Sequence, residues 1–534
     1  MSASVDRRIR SLSWASAAVC LVTRLPFVAR RLWDHDSVQF ALGVEHYDLA
    51  AHQPHPPGYP LYIALLKVLA LVGVSPGSGM VALTLIASAG GAACMPLLVA
   101  RLLESPVSEE ESVFGSALLA AALFVFNPLL WFYGELPLLY AVEGALTVVL
   151  AWAAARMGLG TGAVVWAAVL LALAGGLRPS SLVLLAPMFL FGLWRTWRKG
   201  AVKPAGILLA AAVGGGLVLA WALPLFAAAG GYAAWKHIND EHFRTLLPTT
   251  SVLYGAGIGA LRHNALVIAK WAVQGLFPGA VVLLWWMVRA PSRVREGVGS
   301  LANPFVNRLG FVLAWGLPAI LFFALFHITK AGYTLVYLPA LLVGLVLFVA
   351  PFKPSWKSAG AVALIGAALY FVGPSRVAGE PWWQIPWRDE FHASEIRGFE
   401  SELDSVRAIA GRFSPASTVL VTVELAGGGD GGASGFLYSW HRHLQWYLPA
   451  FTVLSLAPEQ HLALRMRGHS PFETVGQRIE VPAGTDRLVF VLAAPPDSRF
   501  VLPPGEALFR GERFYVWSAP LPADGRLGPF ELVP

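Results

Sequence analysis

Charge is what this sequence has least of. Asp, Glu, Lys and Arg make up 13% of its 534 residues, about half the share of an ordinary soluble domain. A soluble fold of this length could not hide the 56% that is hydrophobic. Cysteine is nearly absent as well: Cys20 and Cys94 both lie inside apolar runs, which leaves no pair for a disulfide. Basic residues outnumber acidic ones, with a net charge of +7 and a pI near 9.4. They are nevertheless scattered through short connections and form no stripe interleaved with aromatics, so nucleic acid is excluded as a partner. Internal repeats are also missing.

What the sequence has is apolar runs. Its mean hydropathy is +0.60, and the runs have roughly the 18 to 24 residues that cross about 30 Å of hydrocarbon. Candidate spans cover residues 11–28, 80–103, 113–132, 138–155, 163–177, 181–194, 205–229, 265–288, 309–326, 335–352 and 358–372. The first follows Arg7, Arg8 and Arg10 and is read as an uncleaved anchor, since no convincing cleavage site comes after it. Residues 59–74, with Lys67 at their middle, are short for a span and read as an interfacial or half-inserted helix. With the N-terminus cytoplasmic, this layout puts the larger share of Lys and Arg inside, as the positive-inside rule requires. A twelve-span layout with the N-terminus outside balances equally well, so eleven and twelve both stay open.

From residue 373 onward charge returns. An amphipathic helix is expected up to Arg412, then strands at 418–423, 452–456, 488–492 and 514–518, with a further aromatic helical stretch. The expectation is a mostly α, polytopic membrane domain over residues 1–373, with surface helices in a first outer loop at 29–79. A small α/β or α+β soluble lobe over 374–534 follows on the outer face of a plasma or bacterial inner membrane. Gly427–Gly435 lacks the Lys-Ser/Thr of a phosphate-binding loop and reads as a plain loop.

The chemistry concentrates in the first outer loop, which opens on Trp33-Asp34-His35-Asp36-Ser37 and closes on His55-Pro56-Pro57-Gly58-Tyr59-Pro60. Between them Phe40, Val44, Tyr47 and Ala51 share one helical face, as in an amphipathic helix lying on the membrane. Asp36 reads in two ways. It can be the helix N-cap, with Gln39 completing a capping box and Asp34 favouring the positive end of the dipole. It can equally be a carboxylate at the water–lipid boundary that takes a proton from a hydroxyl. Glu143 lies in the fourth span on one face with Tyr140 and Thr147, where an acid faces either a cavity or a neighbouring helix. The stretch His237-Ile-Asn-Asp-Glu-His242 is not a His-Glu-x-x-His motif, and no metal site is assigned to it.

The first 150 or so residues resemble the GT-C glycosyltransferases, especially the protein O-mannosyltransferase and aminoarabinose-transferase branch and its bacterial relatives. Asp34 and Asp36 near the start of the loop, and HPPGYPLY from His55 to Tyr62, carry the likeness. Asn127-Pro128 with Trp131, Phe132 and Glu135 matches a second feature at the outer end of the third span. The chain departs from the pattern in having Asp36-Ser37-Val38-Gln39 where relatives often have a second acid. Trp382-Trp383-Gln384 echoes the oligosaccharyltransferases without their Asp, and nothing is carried over from it.

The resemblance implies a polyprenyl-phosphate sugar donor, a glycan, lipid or protein acceptor, and inverting transfer with Asp36, in preference to Asp34, as base. It implies no cofactor and leaves a divalent metal open. Cations near the outer surface would hold the donor phosphate. The outer loops offer Arg178, Arg244, Arg262, His327 and Lys330, of which His327 and Lys330, read as one helical turn apart beside Tyr333, are favoured. His55, Glu135, Tyr140 and Glu143 complete the expected substrate-binding set. A transporter or flippase of lipid-linked saccharides, or a non-catalytic envelope-assembly scaffold, are the competing readings, although the paired broken helices of transporters are not evident.

Overall fold

The computed structural model describes residues 3–104, 110–289, 304–328, 330–372, 391–424, 440–493, 495 and 500–533. Among them six helices are long and apolar enough to cross a membrane: Pro76–Leu103, Tyr140–Leu159, Pro179–Arg198, Pro204–Ala228, Gly257–Val288 and Arg308–Leu325. The chain is an integral membrane protein. Shorter apolar helices accompany these at Pro60–Leu71, Thr161–Leu177, Leu338–Phe352 and Trp356–Phe371. Pro60–Leu71 has 12 residues, about 18 Å at the α-helical rise, and is short for a crossing.

In chain order α1 is Ala3–Arg24, α2 His35–Glu45, α3 Pro60–Leu71, α4 Pro76–Leu103 and α5 Glu110–Val125. Next come α6 (Pro128–Tyr133), α7 (Tyr140–Ala155), α8 (Thr161–Leu177), α9 (Pro179–Arg198) and α10 (Pro204–Ala228). After them follow α11 (Tyr232–Thr250), α12 (Gly257–Arg289), α13 (Pro304–Leu325), α14 (Leu338–Val349) and α15 (Trp356–Phe371). The bundle centres on α4, which packs on α1, α5 and α7. At Gly91 a side chain would meet the Phe124 ring at 2.7 Å and Ala145 at 2.9 Å, the small-residue contact that lets membrane helices approach closely.

The expected third span is not continuous. Residues 113–132 break after Val125, because Asn127 leaves the helix, accepts from the Leu129 and Leu130 amides and caps α6, whose first residue is Pro128. An Asn-Pro pair ends one helix and starts the next.

The C-terminal lobe begins with α16 (Ala393–Ala410) and includes α17 (His441–Tyr447). Its strands are β1 Thr418–Val423, β2 Thr452–Ala457, β3 Leu462–Arg467, β4 Glu473–Val475, β5 Arg478–Glu480, β6 Arg487–Leu492, β7 Glu506–Arg510, β8 Tyr515–Pro520, β9 Arg526–Leu527 and β10 Phe530–Val533. Seven form one sheet in the order β4-β3-β2-β1-β6-β8-β7, with β1 parallel to both β2 and β6. Period-two alternation sends Leu420, Val489 and Val491 toward α16, and Val419, Val421, Leu488 and Phe490 toward the small β5-β10-β9 sheet. A sheet covered on both faces reads as nearly continuous apolar strands, so β1, β2, β6 and β8 were legible while the shorter, charged β3, β4, β5, β7, β9 and β10 were not.

The lobe sits against the first loop, which corrects the expectation for α2. This helix is not spread on a membrane surface: from Ser37 to Val44 every residue is buried, with α3 and α4 on one side and α17 of the lobe on the other. Helix α2 also ends at Glu45, so Tyr47 and Ala51 do not continue its face. The expected boundary at 373/374, the loop Gly427–Gly435, Arg388-Asp389-Glu390 and Trp382-Trp383-Gln384 lie outside the described residues.

Candidate active site

The start of α2 organises the site. Asp34, not Asp36, is the N-cap: its side chain accepts from the Ser37 amide at 3.0 Å, and the Ser37 hydroxyl completes the box with the Asp34 amide at 3.1 Å. The expected cap with Gln39 is therefore displaced by two residues, because Ser37 is a better-placed third residue for Asp34. Asp36 is left in the first helical turn with its carboxylate pointing elsewhere.

That carboxylate meets the C-terminal end of the helical domain. Lys330 Nζ lies 2.7 Å from Asp36 Oδ2 and 2.7 Å from Asp34 Oδ2. The Tyr140 hydroxyl donates to Asp36 Oδ2 at 2.9 Å. Asp36 Oδ1 has His55 Nδ1 at 3.9 Å and, among the described residues, accepts no hydrogen bond. Burial is the largest influence on both acids and works against ionisation. For Asp36 it is outweighed by Lys330, His55 and the Tyr140 hydroxyl together, which hold the carboxyl well below the usual carboxylate range. For Asp34 burial prevails over Lys330, and the carboxyl is raised. The pair shares one cation, and Asp36, with the better set of donors, is the member that stays ionised.

His55 belongs to a chain of side chains behind Asp36. Its Nδ1 is 2.8 Å from Gln39 Oε1, its Nε2 is 2.6 Å from the Tyr59 hydroxyl, and Gln39 Nε2 is 2.9 Å from His35 Nε2. Burial, only partly offset by Asp36, brings the His55 imidazole down to about 4, so it is neutral at physiological pH. Gln39 thus orients His55 and caps nothing.

The cations expected to receive a phosphate lie on the far side of Tyr140. The Tyr140 and Tyr333 rings meet edge to face at 5.4 Å, and the Arg178 guanidinium sits 5.0 Å from the centre of the Tyr333 ring. Arg178 is held by Glu143 at 3.0 Å, and Ser181 donates to the same carboxylate. Glu143 is accordingly in the first turn of α7 and serves as the counter-ion of the α8–α9 junction. His327 and Lys330 are not one helical turn apart. Both follow α13 in an extended stretch before a short 3-10 helix at Ala331–Val336, with His327 6.3 Å from Tyr333 ring to ring.

Glu135 is not brought to this cluster. It is fully buried, accepts from Trp131 Nε1 at 2.9 Å and from the Tyr370 hydroxyl, and has Arg24 nearby. Burial pushes its carboxyl up to about 8 despite those donors, which suits a structural hydrogen-bonding group. Arg244 pairs with Glu241 and Lys236 with Asp240 on the exposed face of α11. Among the described residues no group of three His, Cys, Asp or Glu is arranged to hold a metal.

Sequence reasoning missed His441, Arg442 and His443 of α17, all buried against the first loop. The signal available was three consecutive basic or titratable residues on an otherwise aromatic helix, which is unusual for an exposed turn.

The sequence family described as the N-terminal domain of the protein O-mannosyl-transferase TMEM260 matches residues 47–201. That stretch includes His55, Tyr140, Glu143 and Arg178 but ends short of Lys330 and begins after Asp36. No curated protein matches the chain in sequence. Among solved structures, ArnT from Cupriavidus metallidurans bound to undecaprenyl phosphate superposes with a TM-score of 0.53 at 12% identity, covering 94% of this chain and 97% of that one. The same enzyme in its apo state gives 0.51 at 14% identity with the same coverage. The fold is that of ArnT, and the resemblance to the GT-C membrane glycosyltransferases drawn from the first loop holds.

Proposed function

We propose that this GT-C chain transfers a sugar from a polyprenyl-phosphate donor to an acceptor hydroxyl at the outer face of the membrane, with Asp36 as general base. The observation that carries the reading is the asymmetry of one carboxylate. Asp36 Oδ2 is tied by Lys330 and Tyr140 while Oδ1 accepts no hydrogen bond from a described residue, so one oxygen is fixed and the other can receive a proton. The family match to a protein O-mannosyl-transferase domain and the undecaprenyl phosphate bound by ArnT support the choice of donor class.

In this scheme the acceptor hydroxyl enters beside His55 and loses its proton to Asp36 Oδ1 as its oxygen bonds to the anomeric carbon. The bond from that carbon to the phosphate oxygen breaks, and polyprenyl phosphate leaves with the electron pair, inverting the configuration. Lys330 and Arg178 are the cations that would face the leaving phosphate. Purified protein incubated with a panel of labelled polyprenyl-phosphate sugars should release labelled glycoside and free polyprenyl phosphate. Label that crosses the bilayer still attached to its lipid would support the transporter reading instead.

The topology this requires is open to a separate check. Ser37 is buried, whereas Ala50 of the first loop and Asp524 of the lobe are exposed. After replacement of Cys20 and Cys94, single cysteines at Ala50 and Asp524 should both react with an impermeant maleimide added from outside. Reaction at only one of the two would overturn the layout.

A further inference from the structure

We propose that the C-terminal lobe is a working part of the active site, in which Glu400, Tyr447 and Arg442 are positioning residues for the Asp36 carboxylate. The inference rests on Asp36 being the base and says what places it.

The backbone leading into α2 has no secondary structure to satisfy it, and buried peptide groups must find partners somewhere. Here the partners are supplied by the lobe. Glu400 of α16 accepts from the Arg30 and Arg31 amides through one carboxylate oxygen. The Tyr447 hydroxyl accepts from the Leu32 amide at 2.7 Å. These bonds end two residues before the Asp34 cap and four before Asp36.

The far end of the loop is tied in the same way. Arg442 is 1% exposed, and its guanidinium donates to the Ala51 carbonyl at 2.5 Å and to Gln445 Oε1 at 2.9 Å. No carboxylate pairs with it among the described residues, and burial alone lowers it to about 9. A buried guanidinium without an acid partner is costly, so its retention points to a task, and the page shows one: it holds the return strand of the loop that contains His55. At the end of α2, His469 of the lobe lies 2.5 Å from Glu45. Helix α2 is thus gripped at both ends by residues that touch neither Asp36 nor any group expected to meet substrate.

Positioning errors weigh heavily on proton transfer: a displacement of about 1 Å can cost roughly 100-fold in rate. Tyr447→Phe keeps the ring and removes only the hydroxyl, so the full-length protein should fold and bind a labelled polyprenyl-phosphate sugar with unchanged affinity. Its kcat should fall about ten- to a hundred-fold, and Glu400→Gln and Arg442→Met should behave alike, with Arg442→Lys recovering part of the loss. Exchange of the Arg30, Arg31 and Leu32 amides should quicken in Tyr447→Phe, a change that reports on the loop without reference to activity. Wild-type kcat in Tyr447→Phe and Arg442→Met, with amide exchange unaltered, would overturn the inference. If kcat is unaffected in these variants and also in Asp36→Asn, the failure belongs to the assignment of Asp36; if Asp36→Asn is inactive while they are normal, it belongs to the lobe.

Discussion

Asp36→Asn should insert, fold and bind a polyprenyl-phosphate sugar, yet transfer it about 10²- to 10⁴-fold more slowly than the parent protein, the usual contribution of a general base. The structure sharpens this expectation because the capping role falls on Asp34. An amide at position 36 breaks no cap, and Tyr140 can still donate to its carbonyl oxygen, so the packing of α2 should survive. Asp34→Asn is the contrasting case. Asn caps a helix about as well as Asp, and the variant loses only one of the two carboxylates on Lys330, so its rate should change far less. Steady-state transfer by the two variants, each normalised to folded protein, decides the matter: equal and near-wild-type rates in both, and in the double variant, would remove this loop from the chemistry.

Lys330→Met should do damage of two kinds. It leaves Asp34 and Asp36 close together without their shared cation, and breaking a buried pair typically costs ~3–5 kcal/mol; with these side chains still 15–21% exposed, a loss of about 3 kcal/mol or less is expected. The pH dependence follows from the direction of the shift. Asp36 is held below its unfolded value near 3.9, so its stabilisation is complete above that pH and is lost as pH falls through the lower folded value. Burial then acts without its main opponent in the variant, and the carboxyl rises. The acid limb of kcat/KM should move upward by about one to three pH units, and donor affinity should fall as a phosphate-facing cation is removed. A pH–rate profile with the same acid limb in both proteins would separate Lys330 from Asp36 in function.

Much of this was legible in the sequence where the signal is local. Apolar runs marked most of the helices, and period-two apolar segments located β1, β2, β6 and β8 to within a residue or two. The Asp34/Asp36 pair and His55 stood out because acids and imidazoles are conspicuous in a chain so poor in charge. Where the reading failed, a neighbour in sequence competed with a neighbour in space. Gln39 three residues after Asp36 looked like half of a capping box, but it bonds His55, sixteen positions on. Glu135 looked like a site acid because of the motif around it, but Tyr370, 235 positions on, claims it. Lys330 looked like an unengaged cation in a loop, while its carboxylate partners lie 294 and 296 positions earlier. Nothing in a window of residues reports such separations, and the burial of α2 beneath α17 is of the same kind.

The grip of the lobe on the first loop also fixes when the site can come into being. The Arg30 and Leu32 amides find their acceptors 370 and 415 residues later in the chain. At a synthesis rate of about 5–20 residues per second, the loop that carries the carboxylates waits roughly 20 to 80 seconds after leaving the ribosome before its partners exist. Through that interval the membrane helices can already be inserted, while the backbone ahead of α2 has only water or lipid headgroups to bond. A nascent chain is therefore inert toward lipid-linked sugars until its last quarter is made, and the order of biosynthesis itself keeps an unfinished enzyme from spending the donor.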